Sequence, residues 1–141
     1  MILLDTNVLS EFMKPSPSAE VVRWINPIPA REIRICSITR AEIEVGVALM
    51  PKGTRRQRAM KSAHETFKVF EGRCLPFGES AAVIFAAVFS ARMRVGQPIS
   101  TEDAQIAAIS LTHDMQLATR NTRDFQSIEG LKLINPWEVS G

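Results

Sequence analysis

The stretch Met1-Ile2-Leu3-Leu4-Asp5-Thr6-Asn7-Val8 decides the fold class. Three apolar residues in a row read as a strand buried on both faces, the acid after them marks its end, and residues 6–13 continue as a short helix. The same grammar recurs along the chain. Ile33-Arg34-Ile35-Cys36 precedes the helix that carries Glu42, Pro98-Ile99-Ser100 precedes Asp103, and Gln116-Leu117-Ala118-Thr119 precedes the turn from Asn121 to Asp124. In a parallel α/β sheet the carboxyl ends of the strands share one edge, so acids remote in sequence are expected to meet there.

Working outward, strands are expected at residues 2–4, 32–36, 74–75, 116–119 and 131–134. Helices are expected at 6–13, 19–26, 39–50, 54–70, 79–95 and 101–113, closed by the breakers Lys14-Pro15, Pro27, Pro51-Lys52-Gly53 and Gly96-Gln97-Pro98. Alternating strands and helices predict a three-layer α/β fold: a central, mostly parallel five-stranded sheet with helices on both faces. The Ala-rich helix at 79–95 is expected to be buried.

A chain of 141 residues, 45% hydrophobic, closes one core, so residues 1–141 are expected to form a single domain. No apolar run approaches a membrane span and Met1 leads directly into a strand, which predicts a soluble, cytoplasmic protein. Cys36 and Cys74 lack any CxxC or Cys/His spacing and read as reduced core residues. The net charge of +2 is too small to argue nucleic-acid binding by itself. Its distribution says more: Lys52, Arg55, Arg56, Arg58 and Lys61 form a basic run, with smaller groups at Arg92, Arg94, Arg120 and Arg123. Such a run is either a solvated face or a phosphate-contacting one. The absence of Tyr argues against a base-stacking platform.

Each acid has a plain structural explanation. Thr39-Arg40-Ala41-Glu42 fits a capping box and Ser100-Thr101-Glu102-Asp103 a looser form of it; Asp5 could cap the helix starting at Thr6, and Asp124 could be a turn residue. Their common position favours a shared site, and clustered carboxylates without a basic partner suit a hard divalent cation, Mg²⁺ or Mn²⁺. His64 and His113 read as surface residues, which leaves no zinc pattern. There is no phosphate-binding glycine loop and no G-x-S-x-G elbow.

Asp5-Thr6-Asn7-Val8, Ser37-Ile38-Thr39-Arg40-Ala41-Glu42-Ile43-Glu44-Val45-Gly46, Thr101-Glu102-Asp103-Ala104-Gln105-Ile106-Ala107-Ala108, Leu117-Ala118-Thr119-Arg120-Asn121 and the closing Asn135-Pro136-Trp137 occur in order. With these motifs the chain resembles PIN-domain ribonucleases, specifically VapC-type toxins of the FitB-like group. The resemblance implies a PIN-like fold and makes Asp5, Glu42 and Asp103 the metal-binding catalytic acids, with Mg²⁺ as cofactor and Mn²⁺ as its substitute. The family's fourth acidic position falls on the neutral Asn121, and Asp124, three residues on, is the catalytic candidate that could replace it. Thr6, Asn7, Thr119 and Asn121 are expected to orient the acids, whereas Glu44 and Glu102 point elsewhere.

The implied reaction is hydrolysis of RNA to a 3′-hydroxyl and a 5′-phosphate, with Arg55, Arg56, Arg58 and Arg120 as candidate RNA contacts. Implied partners are a VapB-type antitoxin, a second copy of the chain in a homodimer, and operator DNA through the antitoxin only. Val8, Leu9, Phe12 and Met13 with Val45, Val47 and Leu49 are the candidate antitoxin groove. Two rivals stand: a non-catalytic subunit that helps a DNA-binding antitoxin occupy its operator, and an aspartyl-phosphate phosphatase. Asn7 weakens the second, because such enzymes commonly carry another Asp there.

Overall fold

The structure, a computed structural model, describes residues 1–139. Five strands form one sheet: β1 (Ile2–Leu4), β2 (Ile33–Cys36), β3 (Cys74–Leu75), β4 (Gln116–Ala118) and β5 (Leu133–Ile134). Their spatial order is β3-β2-β1-β4-β5, and every neighbouring pair is parallel. The helices are α1 (Thr6–Phe12), α2 (Ala19–Ile25), α3 (Ser37–Ala48), α4 (Thr54–Val69), α5 (Glu79–Arg94), α6 (Thr101–Thr112) and α7 (Thr122–Phe125), with a 3-10 turn at Ala30–Glu32.

Strand alternation divides the apolar residues into two cores. Leu3, Cys36 and Leu117 face Ile106, Ile109 and Phe125 on one side of the sheet. Leu4, Ile35 and Ala118, one residue along each strand, face Val8, Leu9, Ile43 and Phe67 on the other. A strand buried on both faces is apolar at most positions, which is why β1 reads as an unbroken apolar run and β2 as one broken only by the half-buried Arg34. The two cysteines obey the same rule. Cys36 packs on the α6 side and Cys74 against the opposite core, and both are free thiols.

The connections place the site. From β1 the chain moves outward through β2 to β3, then returns past β1 to add β4 and β5 on the other side. The reversal lies between β1 and β4. At such a switch point the connections leaving two adjacent strands diverge, opening a crevice at their carboxyl ends. Asp5 and Thr119 follow those two strands directly.

Several expectations change. Helix α3 begins at Ser37 with extended Cys36 as its N-cap, so the Thr39–Glu42 capping box does not form; Thr39 lies inside the helix and is fully buried. Helix α5 is not buried. It packs on α6 along one side only, with Ala81 its one buried residue, while Val83 is 71% exposed. Alanine-rich composition does not distinguish a core helix from one whose outer face is apolar. Residues 122–125 form a helical turn where the sequence suggests a simple turn, and β5 starts at Leu133 instead of 131. In the candidate antitoxin groove, Val8 and Leu9 belong to the core, leaving Val45 and Leu49 as the exposed members. Among the described residues no helix is long and apolar enough to cross a membrane.

Candidate active site

Asp5 leaves the end of β1 and caps α1, its Oδ1 accepting the Thr6 N–H at 2.8 Å. Its Oδ2 accepts from the Thr119 hydroxyl at 2.7 Å and from the Asn7 side-chain amide at 3.3 Å. The capping reading and the site reading thus describe one side chain: the cap fixes the rotamer that the crevice uses. Asn7 is itself held, because its Oδ1 accepts the Arg120 N–H at 3.2 Å. Burial raises the Asp5 carboxyl above the ordinary 3.8; the Thr119 and Thr6 hydrogen bonds oppose that rise, and the Glu42 charge adds to it.

Glu42 is joined to this group through Thr6. The Thr6 hydroxyl donates to Glu42 Oε1 at 2.6 Å, with Thr39 Oγ1 3.1 Å away on its other side. A hydroxyl has one proton, and the charged oxygen at the shorter distance takes it. In the sequence Thr39 reads only as a helix cap. Its burial beside Thr6 and Cys36 makes it part of the wall that positions Glu42.

Asp103 stands in the first turn of α6, where Ser100 Oγ accepts its backbone N–H at 3.1 Å, so this looser cap does form. Its carboxyl is moved from 3.8 up to about 6, by burial first, then by the charge of Asp5, with Asp124 and Glu42 adding to it against the Ser100 hydrogen bond. Three acids from three other elements therefore act on the same side chain. None of the described ion pairs involves Asp5, Glu42, Asp103 or Asp124.

The remaining residues divide. Asn121 is exposed, with its N–H donated to Thr119 Oγ1 at 3.0 Å and its side chain unengaged among the described residues. Asp124 is exposed in α7 and reaches the group through its charge alone. Arg120 lies over the Trp137 ring at 4.7 Å, which gives the closing Asn135-Pro136-Trp137 a role in holding it beside Asn7. Arg55 and Arg58 are exposed on α4, and Arg56 is half-buried with its Nε lacking a hydrogen-bond partner. Glu44 pairs with Arg40 at 3.7 Å, away from Glu42, and Glu102 is exposed. Glu11, which is not among the site residues expected from the sequence, is buried and accepts from Lys14 and the Ser18 N–H at 2.9 Å each, tying down the loop after α1.

As a donor set these residues fit a hard divalent cation. They offer carboxylate oxygens, no basic side chain neutralises them, and Asp103 shows the mutual repulsion that a cation would relieve. Among the described residues, however, no three His, Cys, Asp or Glu side chains stand close enough together to hold one ion. The acids are linked through Thr6 and through their charges without closing on a common point.

The PIN domain family profile matches residues 2–131. This chain belongs to the PIN domain family, within its VapC- and FitB-like toxin group. It is 36% identical to Toxin FitB of Neisseria gonorrhoeae over 97% of this chain and 99% of that protein. It is 38% identical to a VapC ribonuclease of Sinorhizobium fredii, over 98% and 99% of the two chains. Among solved structures, FitAB bound to an IR36 DNA fragment superposes with a TM-score of 0.90 at 36% identity, over 100% of this chain and 99% of that one. In this PIN domain the switch-point crevice, the Asp5–Thr6–Glu42 chain of contacts and the raised Asp103 occupy one edge of the sheet.

Proposed function

We propose that this PIN domain is a divalent-metal-dependent ribonuclease toxin, neutralised by a VapB-type antitoxin. The observation that carries the reading is Asp5: a buried carboxylate held by three donors, coupled through Thr6 to Glu42 and by charge to Asp103, with no basic side chain to neutralise it. The relatives named as a toxin and as a VapC ribonuclease supply the substrate class.

Asp5, Glu42 and Asp103 are the residues that would hold Mg²⁺ or Mn²⁺. When bound, such a cation supplies Lewis acidity for the scissile phosphate and an acidified water as nucleophile. The chain's own residues do the rest. Thr119, Asn7 and the Thr6 N–H hold both oxygens of Asp5 in one orientation, the Thr6 hydroxyl orients Glu42, and Ser100 anchors the helical turn that carries Asp103. Asp124 is near enough to add its charge and stands where Asn121 supplies none.

Homodimerisation belongs to the same reading. Val83 and Met93 on α5 and Val95 at its C-cap are exposed, and the groove of about 770 Å³ beside them is apolar along Ala87, Val88 and Ala91. Arg92, at its rim, is engaged by the carbonyls of Gln97 and Asp124. A small-residue face with few free charges can meet its own copy across a two-fold axis, as an isologous interface requires. Operator DNA is reached through the antitoxin, in keeping with the DNA-bound FitAB assembly.

Two observations keep a non-catalytic binding subunit in view: Asn121 is neutral, and among the described residues the acids do not close on one point. Calorimetric titration with Mn²⁺ separates the two. The ribonuclease reading expects binding that Asp5→Asn and Asp103→Asn each weaken at least tenfold; a chain that takes up no Mn²⁺ would support the binding subunit.

A further inference from the structure

Helix α4 carries five of the chain's 17 Lys and Arg residues but only one of its 15 Asp and Glu residues. Some cations elsewhere are tied down within the protein: Lys14 to Glu11, and Arg34, Arg73 and Arg92 to backbone carbonyls. Lys61, His64 and Lys68 donate no hydrogen bond among the described residues, and the one described acid near Arg40 is Glu44 at 3.7 Å. These four line one surface. A cleft of about 560 Å³ between α3, α4 and the edge strand β3 is walled by Arg40, His64 and Lys68, and a second of about 320 Å³ continues it along α4 past Lys61.

We propose that this cleft is a phosphate-binding subsite that carries the RNA strand beyond the acidic crevice. The proposal rests on the ribonuclease reading and adds where the substrate backbone lies. Arg40 precedes Glu42 by two residues on α3 but faces α4, its guanidinium 4.6 Å over the Phe67 ring. It therefore lies on the far side of α3 from Glu42, and a strand that occupies both the acidic site and the cleft crosses α3 between them. From Lys61 to Lys68 the helix rises about 10 Å, enough to meet more than one phosphate of a strand. Phe67 and Phe70 are each 8% exposed and covered by Arg40 and Arg73, so they give bases no open ring to stack on. Recognition here is of charge along a backbone and independent of base identity. Glu65 and Glu71 border the same surface, so phosphates bound there lie against Arg40, Lys61 and Lys68 and between the two acids, a spacing that a flexible strand can meet.

The test uses the full chain in EDTA, so that a fluorescein-labelled single-stranded RNA is bound and not cut, with anisotropy read across a salt series. Replacing Arg40, Lys61 and Lys68 by Gln together is expected to weaken binding at low salt. The slope of log K against log salt should fall by about 2, at about 0.7 for each phosphate that goes unneutralised. Lys61→Gln/Lys68→Gln alters only exposed side chains, leaves the Arg40–Phe67 stack intact, and should give about two-thirds of that change. Wild-type affinity and slope in both variants would overturn the proposal. So would unchanged RNA binding together with abolished binding of a poly-glutamate peptide, which would make the cleft a protein-binding surface. Cleavage in Mg²⁺ is scored separately: failure of the wild type to cut sinks the ribonuclease reading, whereas unchanged RNA binding by the variants sinks the cleft.

Discussion

Thr119 Oγ1 donates a 2.7 Å hydrogen bond to Asp5 Oδ2, joining the ends of two neighbouring strands across 114 residues of chain. The same hydroxyl oxygen accepts the Asn121 N–H at 3.0 Å, so one side chain fixes both the carboxylate and the turn after β4. Thr119→Val keeps the shape and removes both hydrogen bonds. The variant should lose about 1–3 kcal/mol of stability, since a buried acceptor is deprived of a donor. It should also hold the Asp5 proton to higher pH, because a hydrogen bond that lowers its pKa is gone. Chemical denaturation and carboxyl NMR titration check the two effects.

Asp103 sets a pH dependence of fixed sign. Its carboxyl rises from 3.8 to about 6 on folding, so the folded chain holds that proton where the unfolded chain has released it. Between those two values each rise in pH costs stability, and above about 6 the full penalty remains. In EDTA, Asp103→Asn should therefore melt higher than the wild type at pH 7, with the difference closing as pH falls below 4. A variant that melts lower throughout would contradict the like-charge environment.

Metal binding competes with that proton. Mn²⁺ affinity should climb as pH rises through about 6, where Asp103 ionises, and level off above it. Titration calorimetry at several pH values reads the curve, and a pH-independent affinity would count against Asp103 as a ligand.

Exposed Val83 and the apolar groove beside it provide a separate check. Val83→Glu should convert a dimer to a monomer in light scattering without lowering the melting temperature of the monomer, because the residue lies outside the core. A dimer unaffected by Glu at 83 would place the interface elsewhere.

Much of this architecture is legible in the residues because strands buried on both faces demand largely apolar runs. Ile2-Leu3-Leu4 and Ile33-Arg34-Ile35-Cys36 announce themselves, and the acid after each apolar run points to the shared edge. Helix α7 is not legible, since four residues are too few for a helical period to show. The Thr39–Glu42 motif misleads because an S/T-x-x-E pattern looks the same at a helix start and one turn inside it; only the extended backbone of Cys36 locates the start. The face of α5 is hidden for a different reason: a helix with few polar residues carries no sign of which side meets solvent and which a partner. Hydrogen bonds such as Thr6 to Glu42, between elements 36 residues apart, follow from packing and leave no local pattern.

The central claim is that Asp5, Glu42 and Asp103 form a metal-dependent centre for RNA hydrolysis, and the cleavage assay tests it most directly. Purified wild-type chain and Asp5→Asn, matched for folding by circular dichroism, are incubated with transfer RNA and messenger RNA in Mg²⁺, Mn²⁺ or EDTA. The expected result is cleavage by the wild type with either metal, none in EDTA, and none by Asp5→Asn under any condition. Cleavage that persists in EDTA, or full activity in Asp5→Asn, would contradict the claim.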